Sequence, residues 1–499
     1  MQVLRRRKIP PYLALIPVCA GVFVAADDQT VVVTVLPEII RDMRLGPYEL
    51  DRAAWTITGY LLGYVAAMPL IGRLSDIWGH RRLFILSMLL FMVGSAAVAL
   101  TTSLEWLIAA RIFQAVGAGA LVPISIAIVG DIFPKHRRGV PVGIVGASAE
   151  AGGVVGPLWG GIIIRYVDWE WVFWVNIPLG ALVLVALVLL LGPSPRHQAK
   201  VDCLGGALIA ASLASMTFGL SRIDSRDLLM VGYFAASSLS FALFVVRQRA
   251  VEDPILPLSM FKSWALRGSS AAHLLIGGSL IIGMVTVPLM ANTVMGRTPL
   301  EGGLMLMRLT IAIPFGAVLG GIASQRLDYR VPTVLGLVLV ALGFLLMSGW
   351  DADTADAALT LHLLTAGLGF GLLIAPIALA ATNSVEVTDR GAAAALVTAT
   401  RMIGMTLGLA ALTAWGAGRF DRLVAGIEIP FALPGETAEQ IQQRSVQFEA
   451  QVSNAGYTLF NEFFLVAMGL ALLALVPTIL MAWHPGRTGP EPPSTDSTL

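Results

Sequence analysis

The chain has 499 residues, of which 56% are hydrophobic and 13% are charged, and its mean hydropathy is +0.79. Ordinary soluble domains carry about 25% charged residues, so this composition excludes a water-soluble globule and indicates that most of the chain lies in lipid. The formal net charge of +1 provides no overall basic surface for nucleic acid, and the information therefore lies in where the charges fall.

Apolar segments recur along the whole chain and are separated mostly by short polar loops. A bilayer core of about 30 Å needs about 20 apolar residues as helix, because lipid cannot satisfy exposed backbone polar groups. Fourteen segments have this length, which predicts an all-α polytopic membrane protein. The predicted spans are 11–37, 54–73, 83–101, 106–129, 140–164, 171–191, 204–221, 228–246, 268–292, 302–323, 332–350, 359–384, 391–416 and 457–482.

Lysine and arginine are distributed unequally between alternate loops. One set of loops includes the chain start with Arg5–Lys8 and the regions of Arg81, Lys135 and Arg247, whereas the opposite set holds fewer basic residues. Since such residues accumulate on the cytoplasmic side, both termini are predicted to be cytoplasmic, which requires an even number of spans. The basic start is not followed by a small-residue cleavage site, so it predicts a retained first helix.

A dense group of charged residues and glycines lies between the second and third predicted spans. Glycine permits a tight turn and a close approach of helices, and a carboxylate there can cap a helix end or pair with a basic side chain. Such a segment would latch one conformation; the alternative is that its arginines only anchor the topology. The candidate latch residues are Gly72, Asp76, Gly79, Arg81 and Arg82.

The fourth span contains Arg111, followed by Gln114, Gly117 and Gly119. An arginine at membrane depth is costly unless it is paired or wetted, so Arg111 predicts a buried partner. The alternative is a side chain that snorkels to the outer surface, because this span enters the membrane from the outside.

The fifth span has glycines at four-residue spacing around a Gly-Pro pair. Glycines four apart allow close packing against another helix, and a proline removes one backbone hydrogen bond and bends the span. Close packing together with a bend suits a rocking interface. The residues concerned are Gly152, Gly156, Pro157, Gly160 and Gly161.

Ionisable residues inside the spans are the strongest indication of function. Asp28 lies in the first span, Glu150 lies about ten residues into the fifth, near the midplane, and Arg401 is about equally deep in the thirteenth. A carboxylate that moves between an apolar environment and a neighbouring arginine binds and releases a proton, which is the basis of proton antiport. Asp28 and Glu150 are therefore predicted to titrate, with Arg401 and Arg111 as counter-charges. The alternative is a static ion-pair cluster.

These patterns together resemble the major facilitator superfamily, and within it the fourteen-helix drug:proton antiporter branch. Segment 72–82 is similar to the superfamily loop between helices 2 and 3, although Ile77 stands where a basic residue is usual. The glycines of the fifth span resemble the antiporter pattern. Segment 169–180 resembles the pattern of the branch at helix 6, with Glu170 in place of arginine, and a further match begins at Arg401.

The resemblance implies a major facilitator fold of two six-helix bundles plus two linker helices. The polar stretch 416–456 is too long for a tight connection and is expected to extend outside the membrane, with a helical part at 437–450. The tail, 484–499, is rich in Pro, Gly, Ser and Thr and is predicted to be disordered in the cytoplasm. The implied parts are 1–192 for the N-terminal bundle, 193–250 for the linker helices and 251–483 for the C-terminal bundle.

Within the branch, the chain is most similar to mycobacterial exporters of triacylglycerides and other lipids. That resemblance implies proton-coupled export of lipophilic molecules by alternating access from a bacterial inner membrane, by a monomer surrounded by membrane lipids and served by a periplasmic lipoprotein. The alternatives are a multidrug:proton antiporter and a non-transporting scaffold or receptor. An enzyme, a cofactor and a metal are not expected, because the sequence shows no nucleophile–base pair, metal cluster or phosphate loop.

Overall fold

A computed structural model describes residues 10–43, 55–194, 202–222, 227–428, 430 and 437–481. Within these ranges the chain consists of helices joined by turns and short connections, and no strand occurs. The predicted basic start at Arg5–Lys8 and the predicted tail at 484–499 lie outside the described residues.

The N-terminal half contributes six helices. The sixth begins with a short turn of helix, Trp171–Trp174, and continues as Asn176–Leu190. The six are α1 (Pro11–Asp42), α2 (Trp55–Trp78), α3 (His80–Ala99), α4 (Leu104–Ile132), α5 (Gly139–Tyr166) and α6 (Trp171–Leu190).

Two helices follow in the predicted linker, and six more form the C-terminal half. The last helix is continued by the short segments Leu475–Thr478 and Ile479–Met481. The eight are α7 (Cys203–Ser221), α8 (Leu228–Ala250), α9 (Trp264–Thr293), α10 (Pro299–Ala323), α11 (Arg330–Met347), α12 (Asp356–Thr382), α13 (Arg390–Val424) and α14 (Ala438–Leu473).

Several helices begin at residues whose side chains satisfy the free backbone N–H groups of the first turn. Ser103 accepts a hydrogen bond from Trp106 N at the start of α4, and Asp227 accepts one from Met230 N at the start of α8. Thr298 and Thr437 form capping boxes at the starts of α10 and α14. Such caps typically stabilise a helix by about 1 kcal/mol, so the sequence itself marks these boundaries.

Thirteen helices of the described part are long and apolar enough to cross a membrane. The expectation of an all-α polytopic membrane protein is therefore confirmed. The remaining predicted span, 204–221, corresponds to α7, a helix of 19 residues, and its crossing of the membrane stays a prediction.

The segment 72–82, which the resemblance predicts to be a loop, is largely helical. Helix α2 continues to Trp78 and α3 begins at His80, so both run past the predicted limits of their spans. Gly79 alone separates them, with a φ of 91° that L-residues with a side chain rarely adopt. Apart from Gly79, the latch residues therefore lie at the end of α2 and at the start of α3, and the helical backbone sets the direction in which each side chain leaves the chain.

Each half packs as a bundle. In the N-terminal half α1 lies against α5, and α2 and α3 lie against α4; in the C-terminal half α9 lies against α13, and α10 and α11 lie against α12. The halves meet where α5 contacts α10 and where α2 and α4 contact α13. The linker helix α7 pairs with α8 and also contacts α2 and α13, so it lies along the junction of the two bundles.

Candidate functional site

Asp28 lies at the centre of a buried polar network inside the N-terminal bundle. Arg111 on α4 donates a hydrogen bond to Asp28 Oδ2 at 2.6 Å. Gln114 on α4 and Asn176 on α6 donate to Asp28 Oδ1 at 2.9 and 2.8 Å. Both amide groups also donate to Ser95 Oγ on α3. The carboxylate thus links α1 directly to α4 and α6, and the shared Ser95 hydroxyl connects this network to α3.

Arg111 is held from two sides and does not snorkel. Its side chain is 1% exposed, and its guanidinium carbon lies 4.0 Å from the ring centroid of Tyr60 and 5.5 Å from that of Phe173. Its Nε is buried without a hydrogen-bond partner. The sequence predicts a buried partner for Arg111, and in the structure Asp28 is that partner.

Glu150 and Arg401 form the second ion pair, and this pair joins the two bundles. Arg401 on α13 donates from Nη2 to Glu150 Oε1 on α5 at 2.6 Å. Both side chains line a small cavity of about 50 Å³, whose other walls are largely aliphatic. His273 on α9 also faces this cavity, and its Nδ1 lies 3.0 Å from Val397 O. A charge pair between moving halves can couple protonation to movement.

The four predicted proton-coupling residues thus fall into two pairs rather than one cluster. Asp28 and Arg111 both belong to the N-terminal bundle, whereas Glu150 and Arg401 belong to different bundles. Of the two pairs, only the second one can respond directly to a change in the angle between the bundles. The proposed proton-coupling roles of all four residues stay predictions.

The candidate latch connects α2 to the start of α13 in the other bundle. Asp76 accepts hydrogen bonds from Gly391 N at 2.9 Å and Ala392 N at 3.1 Å, and so caps a helix of the opposite half. A Cβ on Gly72 would lie 2.5 Å from the Cβ of Ala395, so only glycine permits this approach of α2 to α13.

His80 extends this latch inside the N-terminal bundle. Its Nδ1 lies 2.7 Å from Asp131 Oδ2, and its Nε2 lies 3.2 Å from Asp76 Oδ1. An imidazole that donates to two carboxylates carries both protons, so this arrangement fits the imidazolium form. Next to it, Arg73 forms an ion pair with Asp389 across the bundles at 2.8 Å.

The two arginines of the latch segment point away from the bundle junction. Arg81 donates from Nη2 to Val188 O at 2.9 Å, and its backbone N–H donates to Ser194 Oγ at 3.2 Å. Arg82 is exposed, and no described residue pairs with it. The predicted latch therefore divides into Gly72 and Asp76, which join the bundles, Gly79, which forms the turn, and the two arginines, which do not.

Arg138 adds a further contact between the bundles at the same end of the molecule. It donates to Phe133 O, to Gly130 O and, across the junction, to Asn383 Oδ1 at 2.9 Å. Burial, and after it the nearby Arg390 guanidinium, lowers the pKa of Arg138 to about 10, so this residue stays charged at neutral pH.

All side-chain hydrogen bonds between the bundles in the described ranges, apart from Glu150 with Arg401, lie at the end that carries the latch. This end is therefore closed by a set of polar contacts.

The glycines of α5 pack against α1 of the same bundle. A Cβ on Gly152 would clash with the backbone of Phe23, and one on Gly156 would meet Asp27 O at 2.6 Å. Gly160 is equally close to Val31, whereas Gly161 has its nearest neighbour at 3.9 Å. The glycines that are predicted to form a rocking interface thus contact a helix of their own bundle, and their part in movement stays a prediction. Pro157 lies inside α5 as expected.

The contact of α5 with the other bundle uses different glycines. Gly139 and Gly143, near the start of α5, lie against Gly321 and Ala317 of α10. Gly139 and Gly143 are four residues apart, which is the same spacing as in the group Gly152, Gly156 and Gly160. Periodicity alone did not show which group of glycines faces α10.

Sequence reasoning missed the roles of three polar residues. The sequence includes Asn176 only as part of the helix 6 pattern, whereas in the structure it donates to Asp28. The sequence does not predict that His80 contacts Asp76 and Asp131. A histidine at the start of an apolar span and an aspartate at the end of another were the available signals. Among the described residues, no group of three or more His, Cys, Asp or Glu side chains forms a metal site.

The fold and its charge pairs define a class: a multi-pass membrane transporter built from two helical bundles that meet around a central ion pair. A family model described as the Major Facilitator Superfamily matches residues 18–409, and the chain belongs to this family. The family predicted from the motifs is thereby confirmed.

Comparisons with solved structures agree on the fold. The chain is similar to the human organic anion transporter MFSD10, with a TM-score of 0.60 and 15% identity over 93% of this chain and 99% of that one. It is also similar to the proton:xylose symporter XylE, with a TM-score of 0.57 and 15% identity over 92% of this chain and 94% of that one. At these identities the likeness concerns the fold alone.

Curated relatives are closer in sequence. A triacylglyceride transporter of Mycolicibacterium hassiacum is 33% identical, over 96% of this chain and 94% of the relative. A triacylglyceride transporter of Mycobacteroides abscessus is also 33% identical, over 85% of this chain and 87% of the relative. Multidrug resistance protein 3 of Bacillus subtilis is 32% identical, over 78% of this chain and 76% of that protein.

Proposed function

We propose that the protein is a proton-coupled exporter of lipophilic molecules, with glycerolipids such as triacylglycerides as its substrates. The observation that carries the proposal is the ion pair between Glu150 and Arg401, because it lies at the junction of the two bundles. A change in the angle between the bundles would separate the two side chains. Glu150 would then face an apolar cavity without its counter-charge and bind a proton, and closure would return the arginine and release it.

Asp28 is the second proposed proton site. Its oxygens already accept hydrogen bonds from Arg111, Gln114 and Asn176, so protonation gives up the attraction between the carboxylate and the Arg111 charge. This makes Asp28 the more tightly held of the two carboxylates. Its proposed role is to keep Arg111 and α1 in place until α5 and α6 shift.

Two apolar cavities support a lipophilic substrate. One, of about 730 Å³, lies between α9, α13 and α14 and includes Phe420, Phe448 and Phe463 in its wall. The other, of about 280 Å³, lies between α2, α7, α9 and α13. Thr413 borders both cavities, so they adjoin each other along α13. Apolar walls with few polar groups suit acyl chains.

The choice of glycerolipids over drugs rests on the relatives named as triacylglyceride transporters, which match nearly the whole chain. The Bacillus subtilis relative named as a multidrug resistance protein favours the second candidate function, multidrug:proton antiport. The same ion pairs and cavities would serve either activity, so the substrate has to be decided by experiment.

The proposal places the protein as a monomer in a bacterial cytoplasmic membrane, with both termini and the latch in the cytoplasm. In that orientation the end of the molecule that is closed by the latch faces the cytoplasm. Helices α13 and α14 are 35 and 36 residues long. At about 1.5 Å per residue each exceeds a hydrocarbon core of about 30 Å, so their outer parts, within 416–456, project from the membrane. We propose that a periplasmic lipoprotein receives the lipid there.

Transport by the purified protein in vesicles would test the proposal. Vesicles containing a fluorescent triacylglyceride would be mixed with acceptor vesicles, with and without a pH gradient. We expect the gradient to accelerate transfer by the wild type and to have no effect on Glu150→Gln or Asp28→Asn. Glu252→Gln is the matched control, because Glu252 is exposed and lies outside both ion pairs.

Two outcomes would decide against parts of the proposal. Wild-type acceleration by the gradient in both Glu150→Gln and Asp28→Asn would exclude these residues as proton carriers. Gradient-driven efflux of a cationic dye without any transfer of triacylglyceride would exclude the lipid substrate and establish the multidrug activity instead.

A further inference from the structure

A pocket of about 270 Å³ opens at the start of α3, on the side away from the bundle junction. One wall comes from the α2–α3 turn and the first turns of α3, and the other from the residues that follow α6. The proposed transport mechanism makes no use of this pocket. It is lined by Trp78, Gly79, Arg81, Arg82, Ile85, Pro193 and Ser194.

The charge in this pocket is not compensated by any residue that the structure describes. Arg82 is exposed and has no hydrogen-bond or ion-pair partner in the described part of the chain. Arg81 uses its Nη2 on Val188 O, while its Nε is buried without a partner. The residues that line the pocket include two arginines and no carboxylate. Two positive charges that share a concave site attract an anion.

Apolar surface continues from the pocket toward the middle of the membrane. Leu86, Leu89 and Val93 are exposed by 40 to 58% and follow Arg82 at helical spacing, so all four share one face of α3. On the neighbouring α6, Val185 and Leu189 are also exposed. A basic site at the end of an apolar strip matches an amphiphile with an anionic head and hydrocarbon chains.

We propose that this pocket binds the phosphate group of an anionic phospholipid from the leaflet on the latch side, with the acyl chains along α3 and α6. Guanidinium groups bind phosphate through paired hydrogen bonds, and basic pockets at the membrane surface are suited to lipid headgroups. Trp78, which is 45% exposed, lines the same pocket at the last residue of α2, and indole rings favour the membrane interface.

The bound lipid would act on the latch through His80. This residue stands directly between Gly79 and Arg81 in the chain and contacts Asp76 and Asp131. A phospholipid held by the arginines would fix the first turn of α3, and with it the imidazole that supports Asp76. The lipid in this pocket is therefore a stabilising ligand of the closed latch, distinct from the exported substrate.

Lipid retention by the full-length protein would test the site without any transport assay, so its result is independent of the proposed export activity. The delipidated protein in detergent would receive phosphatidylglycerol or phosphatidylcholine, and native mass spectrometry would count the bound lipid. We expect one phosphatidylglycerol to be retained in preference to phosphatidylcholine. Arg82→Gln should weaken this retention about fivefold, the effect of one basic residue near a lipid surface.

The matched control is Arg249→Gln, which removes an exposed arginine on α8 that lies outside the pocket. Retention by this variant should equal that of the wild type. Because Arg82 touches no other side chain through a hydrogen bond, Arg82→Gln should fold; Arg81→Gln, which also loses the contact to Val188 O, serves as a second variant.

Two results would overturn the proposal. Equal loss of phosphatidylglycerol in Arg82→Gln and Arg249→Gln would show general charge attraction without a site. Displacement of the lipid by millimolar inorganic phosphate or glycerol phosphate would show that the pocket recognises a soluble anion rather than a phospholipid.

Discussion

Glu150 and Arg401 stand on different bundles and lie 2.6 Å apart, from Oε1 to Nη2. Their side chains are 16% and 17% exposed, so the pair is neither sealed nor open to bulk water. The same pair therefore holds α5 to α13 and remains within reach of water that enters between the bundles. The pair of Glu150 and Arg401 thus both joins the bundles and is accessible to protons, whereas Asp28 and Arg111 are buried inside one bundle.

The first prediction concerns the stability of this pair. Glu150→Gln should lower the free energy of unfolding by about 2–3 kcal/mol, because Arg401 is left without its counter-charge among apolar cavity walls. The double variant Glu150→Gln, Arg401→Gln should recover part of this loss. Chemical unfolding in detergent would supply the double-mutant cycle, and simple additivity of the two single variants would show that the pair contributes no coupling.

The second prediction concerns the partners of Asp28. Asn176→Leu keeps a similar size but removes the donor to Asp28 Oδ1 and to Ser95 Oγ. The expected loss is about 1–2 kcal/mol of unfolding free energy, since a buried carboxylate gives up one of its hydrogen bonds. Thermal unfolding would measure it. Asn454→Leu, at an exposed position of α14, should leave stability within about 0.5 kcal/mol of the wild type, and an equal loss there would count against the network.

The third prediction concerns His80 and the closed end. His80→Phe would remove the group that bridges the buried carboxylate of Asp76 and the partly exposed carboxylate of Asp131, whereas His80→Arg would keep a positive donor between them. A cysteine in place of Ala395, which is buried where α2 meets α13, would report opening through its rate of maleimide labelling. The background would carry Cys19→Ser and Cys203→Ser.

We expect labelling at position 395 to become several times faster with His80→Phe and to stay near the wild-type rate with His80→Arg. The same rate in all three proteins would mean that Asp76 closes this end without help from His80. Faster labelling with both variants would mean that the ring shape, rather than its two donors, maintains the contact.

The fourth prediction concerns acid and the linker helices. Asp202 caps α7 and accepts hydrogen bonds from Gly205 N at 2.9 Å, Arg247 Nε at 2.7 Å and Gln248 Nε2 at 3.1 Å. Burial favours the neutral acid, but the hydrogen bond from Gly205 N and then those from Arg247 outweigh it, so the pKa of Asp202 lies below its ordinary value. The carboxylate therefore stabilises the folded state above its unfolded pKa, of about 3.9, and this contribution disappears as the pH falls through the folded pKa.

Asp202→Asn should accordingly lower the melting temperature at pH 7 and lower it progressively less as the pH is reduced below about 4. Thermal unfolding of both proteins across this pH range is the measurement. A difference between the two proteins that is independent of pH would show that the amide loses only the geometry of the cap, and not the charge of the carboxylate.

The helices could be predicted from sequence because each span needs about 20 apolar residues to cross the lipid core. The pairing of the charged residues could not be predicted in this way. Asp28, Glu150, Arg111 and Arg401 were identified as residues at membrane depth, but any carboxylate could in principle pair with either arginine. Which one does so depends on the rotation of α4 and α13 about their axes. That rotation is set by packing across several helices, which no local pattern contains.

The latch shows a similar limit. Charge and glycine favour a loop between the second and third spans, but α2 continues as a helix to Trp78. Gly72 and Asp76 consequently point at α13, a helix more than three hundred residues away in the chain. A contact at such a sequence distance follows from the association of two bundles, and the sequence offers only residue types compatible with it.

The last prediction compares two glycines of α5 that differ in the space available for an added methyl group. Gly152→Ala should be strongly destabilising, because its new methyl group would press on the backbone of Phe23 and Asp27, which cannot rotate away as a side chain can. Gly161→Ala should be tolerated, since its nearest neighbour, the Thr34 methyl group, is 3.9 Å from the Cβ position. Alanine also raises helix propensity by about 1 kcal/mol at either site, so any net loss at Gly152 comes from α1 being forced away. Thermal unfolding of the two variants side by side would measure the difference, and equal melting temperatures would show that α1 and α5 are not in the close contact described here.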